Sequence, residues 1–91
     1  MSDASTAIAA MVPRRRSVVA GEIESIASFT GPWLRTDAAL ADGTGVVVLR
    51  FMGRGVPPGM VTGARVVPRA RRRSSGGVLL MRNPLYSFVA A

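Results

Sequence analysis

The sequence predicts a small all-β domain, either a barrel or a sandwich. Five segments rich in β-favouring residues alternate with turn signals at fairly even spacing, and no segment shows the periodicity of a substantial helix. A chain of 91 residues suffices for one domain and not for two. Because an open five-stranded sheet leaves unpaired edges, closure into a barrel is the favoured arrangement.

The first predicted strand spans Arg16 to Ser28, where apolar residues alternate with polar ones. Gly21 lies inside it and suggests a bulge or a tight bend, as a barrel corner requires. The strand ends at the turn Thr30-Gly31-Pro32.

The second predicted strand runs from Trp33 to Ala41, and the third from Val46 to Met52. Asp42-Gly43-Thr44-Gly45 between them is a strong hairpin signal, because glycine supplies the positive φ that tight turns require. Side chains alternate between the two faces of a strand, so the more apolar set of each should point into the core. These sets are Leu34, Thr36, Ala38 and Leu40 on the second strand, and Val47, Leu49 and Phe51 on the third.

A long connector, Gly53 to Gly63, separates the third strand from the fourth. Its Pro57-Pro58-Gly59 excludes a regular strand and leaves room for a single helical turn at most. The fourth predicted strand is Arg65 to Arg71, and Pro68 within it indicates an edge strand or a bulge.

The end of the chain contains one more strand. Residues 71–77 are rich in arginine, serine and glycine, and they are predicted to form a flexible basic loop. The fifth strand follows at Val78 to Arg82 and is stopped by Asn83-Pro84. Leu85 to Val89 forms a short extended segment, and Tyr86 and Phe88 within it should close the barrel or form a dimer contact.

The predicted organisation is a flexible N-terminal tail at residues 1–13 and a folded domain at residues 14–91. The tail contains small, mixed residues with weak helical character, and Pro13 separates it from the first strand.

The charge of the chain indicates a polyanionic partner. Twelve basic residues, all of them arginine, oppose five acidic residues, which gives a net charge of +7. Arginine presents a flat, permanently charged fork that binds phosphate bidentately and stacks on bases, so nucleic acid is the expected partner. The alternative is a basic protein without a specific nucleic-acid site, or one associated with the ribosome.

Catalysis is not expected. The chain lacks cysteine and histidine, which removes disulfides, thiolate nucleophiles, the commonest general base and the commonest metal ligand. No catalytic motif or metal-ligand spacing occurs, so we expect no metal, no cofactor and no small-molecule substrate. No run of about 18 apolar residues is present, so no membrane span is expected and a cytoplasmic location is predicted.

The order of these features resembles a known family. A long first strand containing Gly21 precedes the Asp-Gly-Thr-Gly hairpin, and a valine-rich third strand ends in Leu49-Arg50-Phe51-Met52-Gly53-Arg54. A Pro-Gly-x-x-x-Gly connector and a final strand running into Asn83-Pro84 follow. This set resembles the small bacterial OB-fold nucleic-acid-binding proteins of the actinobacterial type, which are similar to the tRNA anticodon-binding domain.

The resemblance implies a five-stranded OB-fold Greek-key barrel with a long connector between strands three and four. It also implies non-catalytic binding of single-stranded DNA or RNA on the face of strands two and three, between the first and fourth loops. One departure concerns the fourth strand, where OB domains often carry glycine and this chain has Pro68.

The candidate binding residues combine an aromatic ring with arginines. Trp33 should stack a base, while Arg35 and Arg50 point outward beside it and contact phosphate. Trp33 packing over the barrel mouth is the alternative, as is pairing of the two arginines with Asp37. The full candidate set is Arg14, Arg15, Arg16, Trp33, Arg35, Arg50, Arg54, Arg69, Arg71, Arg72 and Arg73.

Two other interpretations stay open at this point. OB barrels also serve as docking modules within larger assemblies, and the apolar ends of the domain would suit such a role or a homodimer. A small Sm-like or SH3-like barrel also has five strands, although it usually lacks the long connector.

Overall fold

The protein is described by a computed structural model that covers residues 5–89. Within them the structure confirms the all-β class: it contains one sheet and a single turn of 3-10 helix, Ile8–Ala10. The strands are β1 (Arg16–Val18), β2 (Gly21–Thr30), β3 (Leu34–Ala41), β4 (Val46–Met52), β5 (Arg65–Arg71), β6 (Arg73–Ser75), β7 (Val78–Arg82) and β8 (Leu85–Phe88).

The described residues form eight strands where the sequence predicts five. The predicted first strand is divided into β1 and β2, and the extended segment at the C-terminus pairs with the sheet as β8. The remaining strand, β6, lies in the stretch predicted to be a loop.

The gap between β1 and β2 lies opposite Pro68. Both strands face β5 in one continuous antiparallel register, from Arg16 opposite Arg71 to Glu22 opposite Arg65. The Val19 N–H donates to the Pro68 carbonyl at 3.2 Å, but Pro68 has no N–H to return the bond. The prediction of an edge strand is therefore wrong, because β5 pairs with β1 and β2 on one side and with β8 on the other.

The strand order brings the two ends of the sheet toward each other. Antiparallel pairing joins β2 to β3 and β3 to β4, and β4 then pairs in parallel with β7. β7 also pairs with β6. Only Arg72 separates β6 from β5 along the chain, and β5 pairs with β2. The sheet thus curls into a half-barrel.

The core face of the central strands follows the predicted alternation. The predicted inward residues of β3 and β4 are buried except Leu34, which is 38 % exposed because it lies at the end of the hairpin, beyond the core. The buried apolar residues outside these two strands are Ile8, Met11, Val19, Ile23, Met60, Val66, Leu80 and Met81.

The aromatic residues of β8 pack against this core from the open side of the half-barrel. The Tyr86 ring meets the buried Phe51 ring edge-on, with centroids 5.7 Å apart, and Phe88 packs on Tyr86 in the same way at 5.6 Å. Such edge-to-face pairs contribute roughly 0.5–1.5 kcal/mol beyond their area burial.

The segment predicted to be a flexible tail packs on the domain over its described part. Ile8 is buried, and its backbone N–H donates to Asp42 Oδ2 at 2.8 Å, while the Ala9 N–H donates to Thr44 Oγ1 at 3.1 Å. Burial of a side chain as large as Ile8 stabilises a fold by roughly 1.5–3 kcal/mol. Residues 1–4 lie outside the described part.

The predicted flexible loop at residues 71–77 is a strand and a tight turn instead. Ser75 pairs with Val78, so only Gly76 and Gly77 form the loop, and their φ values are 57° and 82°. Positive φ at both positions is typical of a type I′ turn, which matches the twist of the strands it joins. This turn joins β6, which contains Arg73, Ser74 and Ser75, to β7.

Gly21 is required by a close approach of two strands. A Cβ atom at this position would lie 2.5 Å from the Ala41 carbonyl oxygen. The irregularity predicted at Gly21 is located slightly later in β2, where the register with β3 shifts between Ile23 and Ser25.

Candidate functional site

Antiparallel pairing of β1 with β5 brings the two arginine runs of the sequence together. Arg16 lies directly opposite Arg71. Beyond the strands, the Arg14 N–H donates to the Arg72 carbonyl at 2.9 Å, and the Arg72 N–H donates to the Arg15 carbonyl at 3.2 Å. Residues that are distant in the chain therefore form one basic surface.

The centre of this surface is a cavity of about 350 Å³ between β1, β5, β6 and β7. Five arginines from these four strands line it, and we call them the arginine cluster. They are Arg16, Arg69, Arg71, Arg73 and Arg82. The remaining described residues that line it are Ala70, Asn83 and Leu85, none of which carries a carboxylate.

In the part of the chain that the structure describes, no carboxylate forms an ion pair with the arginine cluster. Within residues 5–89, the ion pairs join Asp37 to Arg35 and Arg50, and Glu22 to Arg65; none includes a cluster arginine. Like charges directly opposite one another in a sheet, as in Arg16 and Arg71, destabilise it. A bound anion would relieve this repulsion, which makes the cavity a candidate anion site.

Arg71 is held in place by the main chain. Its Nη1 donates to the Arg14 carbonyl oxygen at 2.9 Å, and Arg14 has a φ of 63°, in the left-handed region that favours glycine. This bond orients Arg71. Because a guanidinium has five N–H donors, the other donors stay available for a ligand. Arg14 also lines a smaller cavity of about 300 Å³ with Arg71 and Arg73.

Arg15 and Arg72 are placed differently from the cluster. Arg15 is exposed and pairs through its backbone, as described above. Arg72 is half-buried and lines a cavity of about 390 Å³ with Pro13, Arg14, Arg73 and Ser74. Its Nε is buried and has no hydrogen-bond partner among residues 5–89.

Asp37 occupies two of the arginines that the sequence predicts to bind phosphate. Arg50 Nε and Nη2 donate to the two Asp37 carboxylate oxygens at 3.0 and 3.2 Å. Arg35 Nε lies 3.6 Å from Asp37 Oδ2, and the Arg35 guanidinium stacks 4.4 Å from the Phe29 ring centroid. The pairing that the sequence left open as an alternative is present, and both arginines are half-buried.

Trp33 lies at the tip of the β2–β3 hairpin and is 77 % exposed. It does not pack over the barrel mouth. A shallow cavity of about 340 Å³ surrounds it, lined by Phe29, Gly31, Pro32, Trp33, Arg35 and Met52. An exposed indole beside a phenyl ring and a guanidinium offers a flat, apolar surface on which a nucleobase could stack.

The Trp33 cavity and the arginine cluster share no lining residue, but the same sheet face connects them. Asp37 is in register with Arg50, and Arg50 is in register with Arg82, so the three side chains leave the sheet on one face. Two strand spacings, about 10 Å, separate Asp37 from Arg82. The Asp37–Arg50 pair therefore lies between the aromatic tip and the basic cavity.

Two further arginines, Arg54 and Arg82, differ in their position relative to the cluster. Arg54 is exposed, and its guanidinium lies 5.5 Å from the Phe51 ring centroid, apart from the cluster. Arg82 was missed, although it is the last residue of a correctly predicted strand. It joins the cluster because β7 pairs with β6, which carries Arg73, and the sequence predicted a loop in place of β6.

Acidic residues are concentrated elsewhere on the domain. Glu22, Glu24 and Asp42 line a separate cavity of about 400 Å³ with Arg65. Partial burial raises the pKa of Asp42, but hydrogen bonds from the Thr44 hydroxyl and from nearby backbone N–H groups outweigh it, so the pKa lies below its usual value. Within residues 5–89, no three acidic side chains are close enough together to hold a metal ion.

The comparisons with known proteins give no family for this chain. No protein-family model matches it, and no curated protein matches its sequence. No helix among residues 5–89 has the length and apolar character needed to cross a membrane.

Proposed function

We propose that this chain is a non-catalytic OB-fold module that binds single-stranded DNA or RNA without strong sequence preference. The observation that carries the proposal is the arginine cluster, in which five guanidinium groups line one cavity that no carboxylate of residues 5–89 lines. Guanidinium groups bind phosphate bidentately and retain their charge at any physiological pH.

The strand connections support the OB-fold assignment. If each interruption is bridged along the chain, the strands merge into five runs: β1–β2, β3, β4, β5–β6 and β7–β8. The first run pairs with the second and the fourth, and the third pairs with the fifth, which is the pairing expected for a partly open Greek-key barrel. The Trp33 turn and the β6–β7 turn are then the first and fourth connections, which flank the binding face of such barrels.

The chemistry of the face suits a single strand. Phosphates would bind to the arginine cluster, and an unpaired base would stack on Trp33 and Phe29 at the hairpin tip. Arginine–phosphate contacts and base stacking do not depend on the identity of the base, so the proposed binding has no strong sequence preference.

Fluorescence anisotropy with labelled single-stranded oligonucleotides tests the proposal. We expect binding at low salt that weakens strongly between about 50 and 200 mM salt, because Arg–phosphate contacts release counterions. Arg16→Ala combined with Arg71→Ala should weaken it further. Arg65→Ala is the matched control, because Arg65 is an exposed arginine that faces Glu22 instead.

Absence of binding at low salt would refute the proposal. Binding that is insensitive to salt would exclude phosphate contacts as its main source. Equal losses from the Arg65 control and from the cluster variants would show that net charge matters and that the cavity does not.

A second candidate function is docking to a protein partner or to a second copy of the chain. It is favoured by the exposed apolar side chains of Phe29, Trp33 and Leu34 at the hairpin tip. Size-exclusion chromatography with light scattering, with and without an oligonucleotide, separates the two functions. A dimer whose Trp33 fluorescence is unaffected by an oligonucleotide would favour docking.

A further inference from the structure

We propose that the nucleic-acid backbone runs along the β5–β6 edge of the arginine cluster, so that three consecutive phosphates each meet one arginine. The three residues are Arg69, Arg71 and Arg73, and we call them the arginine row. This inference rests on the proposed function and specifies the direction and the minimal length of the ligand at the same site.

The arginine row has a spacing that suits the phosphates of a single strand. The three residues occupy alternate positions of one extended segment, all three are exposed, and all three line the same cavity. Alternate residues of a strand point to one face and repeat about every 6.6–6.8 Å. This interval is similar to the spacing of successive phosphates in a stretched single strand.

The backbone stays extended from β5 to β6. Although Arg72 separates β5 from β6, its N–H and carbonyl are hydrogen-bonded to Arg15 and Arg14 in a β-like manner. The extended conformation is therefore maintained across the gap, and Arg73 stays aligned with Arg69 and Arg71.

The strands on either side of the row each contribute one more arginine. Arg16 lies beside the row on β1, opposite Arg71, and Arg82 lies on the other side on β7. The row thus forms the floor of a basic channel with one arginine on each wall. The hydrogen bond from Arg71 to the Arg14 carbonyl orients the central member before any ligand binds, which lowers the entropic cost of binding.

The composition of the cavity determines what is recognised. Apart from arginines, the described residues that line it are Ala70, Asn83 and Leu85, and of these three Asn83 has hydrogen-bonding groups in its side chain. The Asn83 side-chain oxygen already accepts a hydrogen bond from the Met52 N–H at 2.9 Å. The guanidinium groups of the row bind phosphate whatever base is attached to it, so the ligand is a run of at least three phosphodiesters.

The test compares the salt dependence of binding among single variants. We expect Arg69→Gln, Arg71→Gln and Arg73→Gln each to lower the magnitude of the slope of log K against log salt by about 0.7, the value for one phosphate contact in a single strand. An abasic oligonucleotide of the same length should show the same three changes. Arg65→Gln is the control and should leave the slope unchanged, because Arg65 faces Glu22 away from the row, and circular dichroism of each variant reports its fold.

A ligand that crosses the strands would give a different pattern. It would meet Arg16, Arg71 and Arg82, so Arg16→Gln and Arg82→Gln would lower the slope while Arg69→Gln and Arg73→Gln would not. That result would overturn the inference and leave the proposed function intact. If the wild-type protein binds no oligonucleotide at low salt, the proposed function fails and the inference fails with it.

Discussion

Asp37 and Arg50 lie directly opposite each other on β3 and β4, and the Arg50 guanidinium donates to both Asp37 carboxylate oxygens. The same carboxylate lies 3.6 Å from Arg35. One acidic residue thus pairs with two arginines in the middle of the face that connects Trp33 to the arginine cluster. A phosphate that approached either arginine would have to compete with Asp37.

Asp37→Asn should therefore strengthen binding of a single-stranded oligonucleotide. If the freed Arg35 and Arg50 each gain a phosphate contact, the affinity should rise about 3- to 10-fold, and the salt slope should steepen by up to about 0.7 per contact. Because the pair is largely buried, the same change should lower the free energy of unfolding by about 1–3 kcal/mol. Anisotropy titrations and urea denaturation measure the two effects.

Glu22→Gln is the control for Asp37→Asn. It removes the same negative charge, but Glu22 is exposed and lies 4.0 Å from Arg65, away from the proposed interface. We expect affinity and stability close to those of the wild type. An equal gain in affinity from both variants would show that net charge accounts for the effect of Asp37→Asn.

Trp33→Ala should weaken oligonucleotide binding without altering the fold. Stacking of one base on an aromatic ring contributes about 1–3 kcal/mol, which corresponds to a loss of roughly 5- to 150-fold in affinity. Since Trp33 is mostly exposed, the free energy of unfolding should change by less than about 0.5 kcal/mol. Val61→Ala, an exposed apolar residue of the connector, should change neither quantity.

Binding should also quench the fluorescence of Trp33 in the unmodified protein. Because Trp33 is the single tryptophan of the chain, its emission reports the hairpin tip directly. Tight binding without any change in this emission would place the bases elsewhere.

Gly21→Ala should destabilise the domain by about 1–3 kcal/mol or more. The added methyl carbon would lie 2.5 Å from the Ala41 carbonyl oxygen, and neither backbone can move without disturbing the pairing of β2 with β3. Gly31→Ala is the control, since a Cβ there meets no atom within 4 Å, and its effect should be within about 0.5 kcal/mol. Chemical denaturation midpoints compare the two, and equal losses would contradict the close approach.

Asp42 should make the docking of the N-terminal segment dependent on pH. Hydrogen bonds to its carboxylate lower its pKa in the folded state, so its contribution to stability is complete above the usual carboxyl pKa of about 3.9. That contribution is lost as the pH falls through the lowered pKa of the folded state. Asp42→Ala should cost about 1 kcal/mol at neutral pH, because the Ile8 N–H and the Thr44 groups lose their acceptor.

Unfolding midpoints measured from neutral to acid pH test this dependence. The difference in stability between the wild type and Asp42→Ala should shrink as the pH falls below the carboxyl range. A difference that stays constant with pH would show that the carboxylate charge is not what holds Ile8.

Local patterns in the sequence were sufficient to predict the central strands and the face that they bury. Period-two alternation placed Val47, Leu49 and Phe51 in the core, and the Asp42-Gly43-Thr44-Gly45 signal located the hairpin. β6 was missed because its one arginine and two serines are typical of a loop. The adjacent Gly76-Gly77 was nevertheless a signal for a two-residue turn between paired strands.

The candidate site could be predicted only in part, because it depends on pairing between distant strands. The runs containing Arg16 and Arg71 were identified separately, but their alignment follows from the β1–β5 register. Likewise, the packing of Ile8 depends on the Asp42 hairpin more than 30 residues later, and nothing in its own surroundings indicates it. Side-chain chemistry can be inferred locally, whereas the juxtaposition of residues requires the topology.

The parallel pairing of β4 with β7 has a consequence for folding kinetics. The hairpins β2–β3, β3–β4 and β6–β7 join neighbouring segments and can form early, whereas Val48 meets Leu80 only after the long connector and β5 have crossed the domain. Closing that loop costs entropy before its contacts are gained, which makes it the expected slow step. Substitutions at Leu80 should therefore slow refolding, while substitutions at Ile8, which docks on a finished hairpin, should mainly accelerate unfolding.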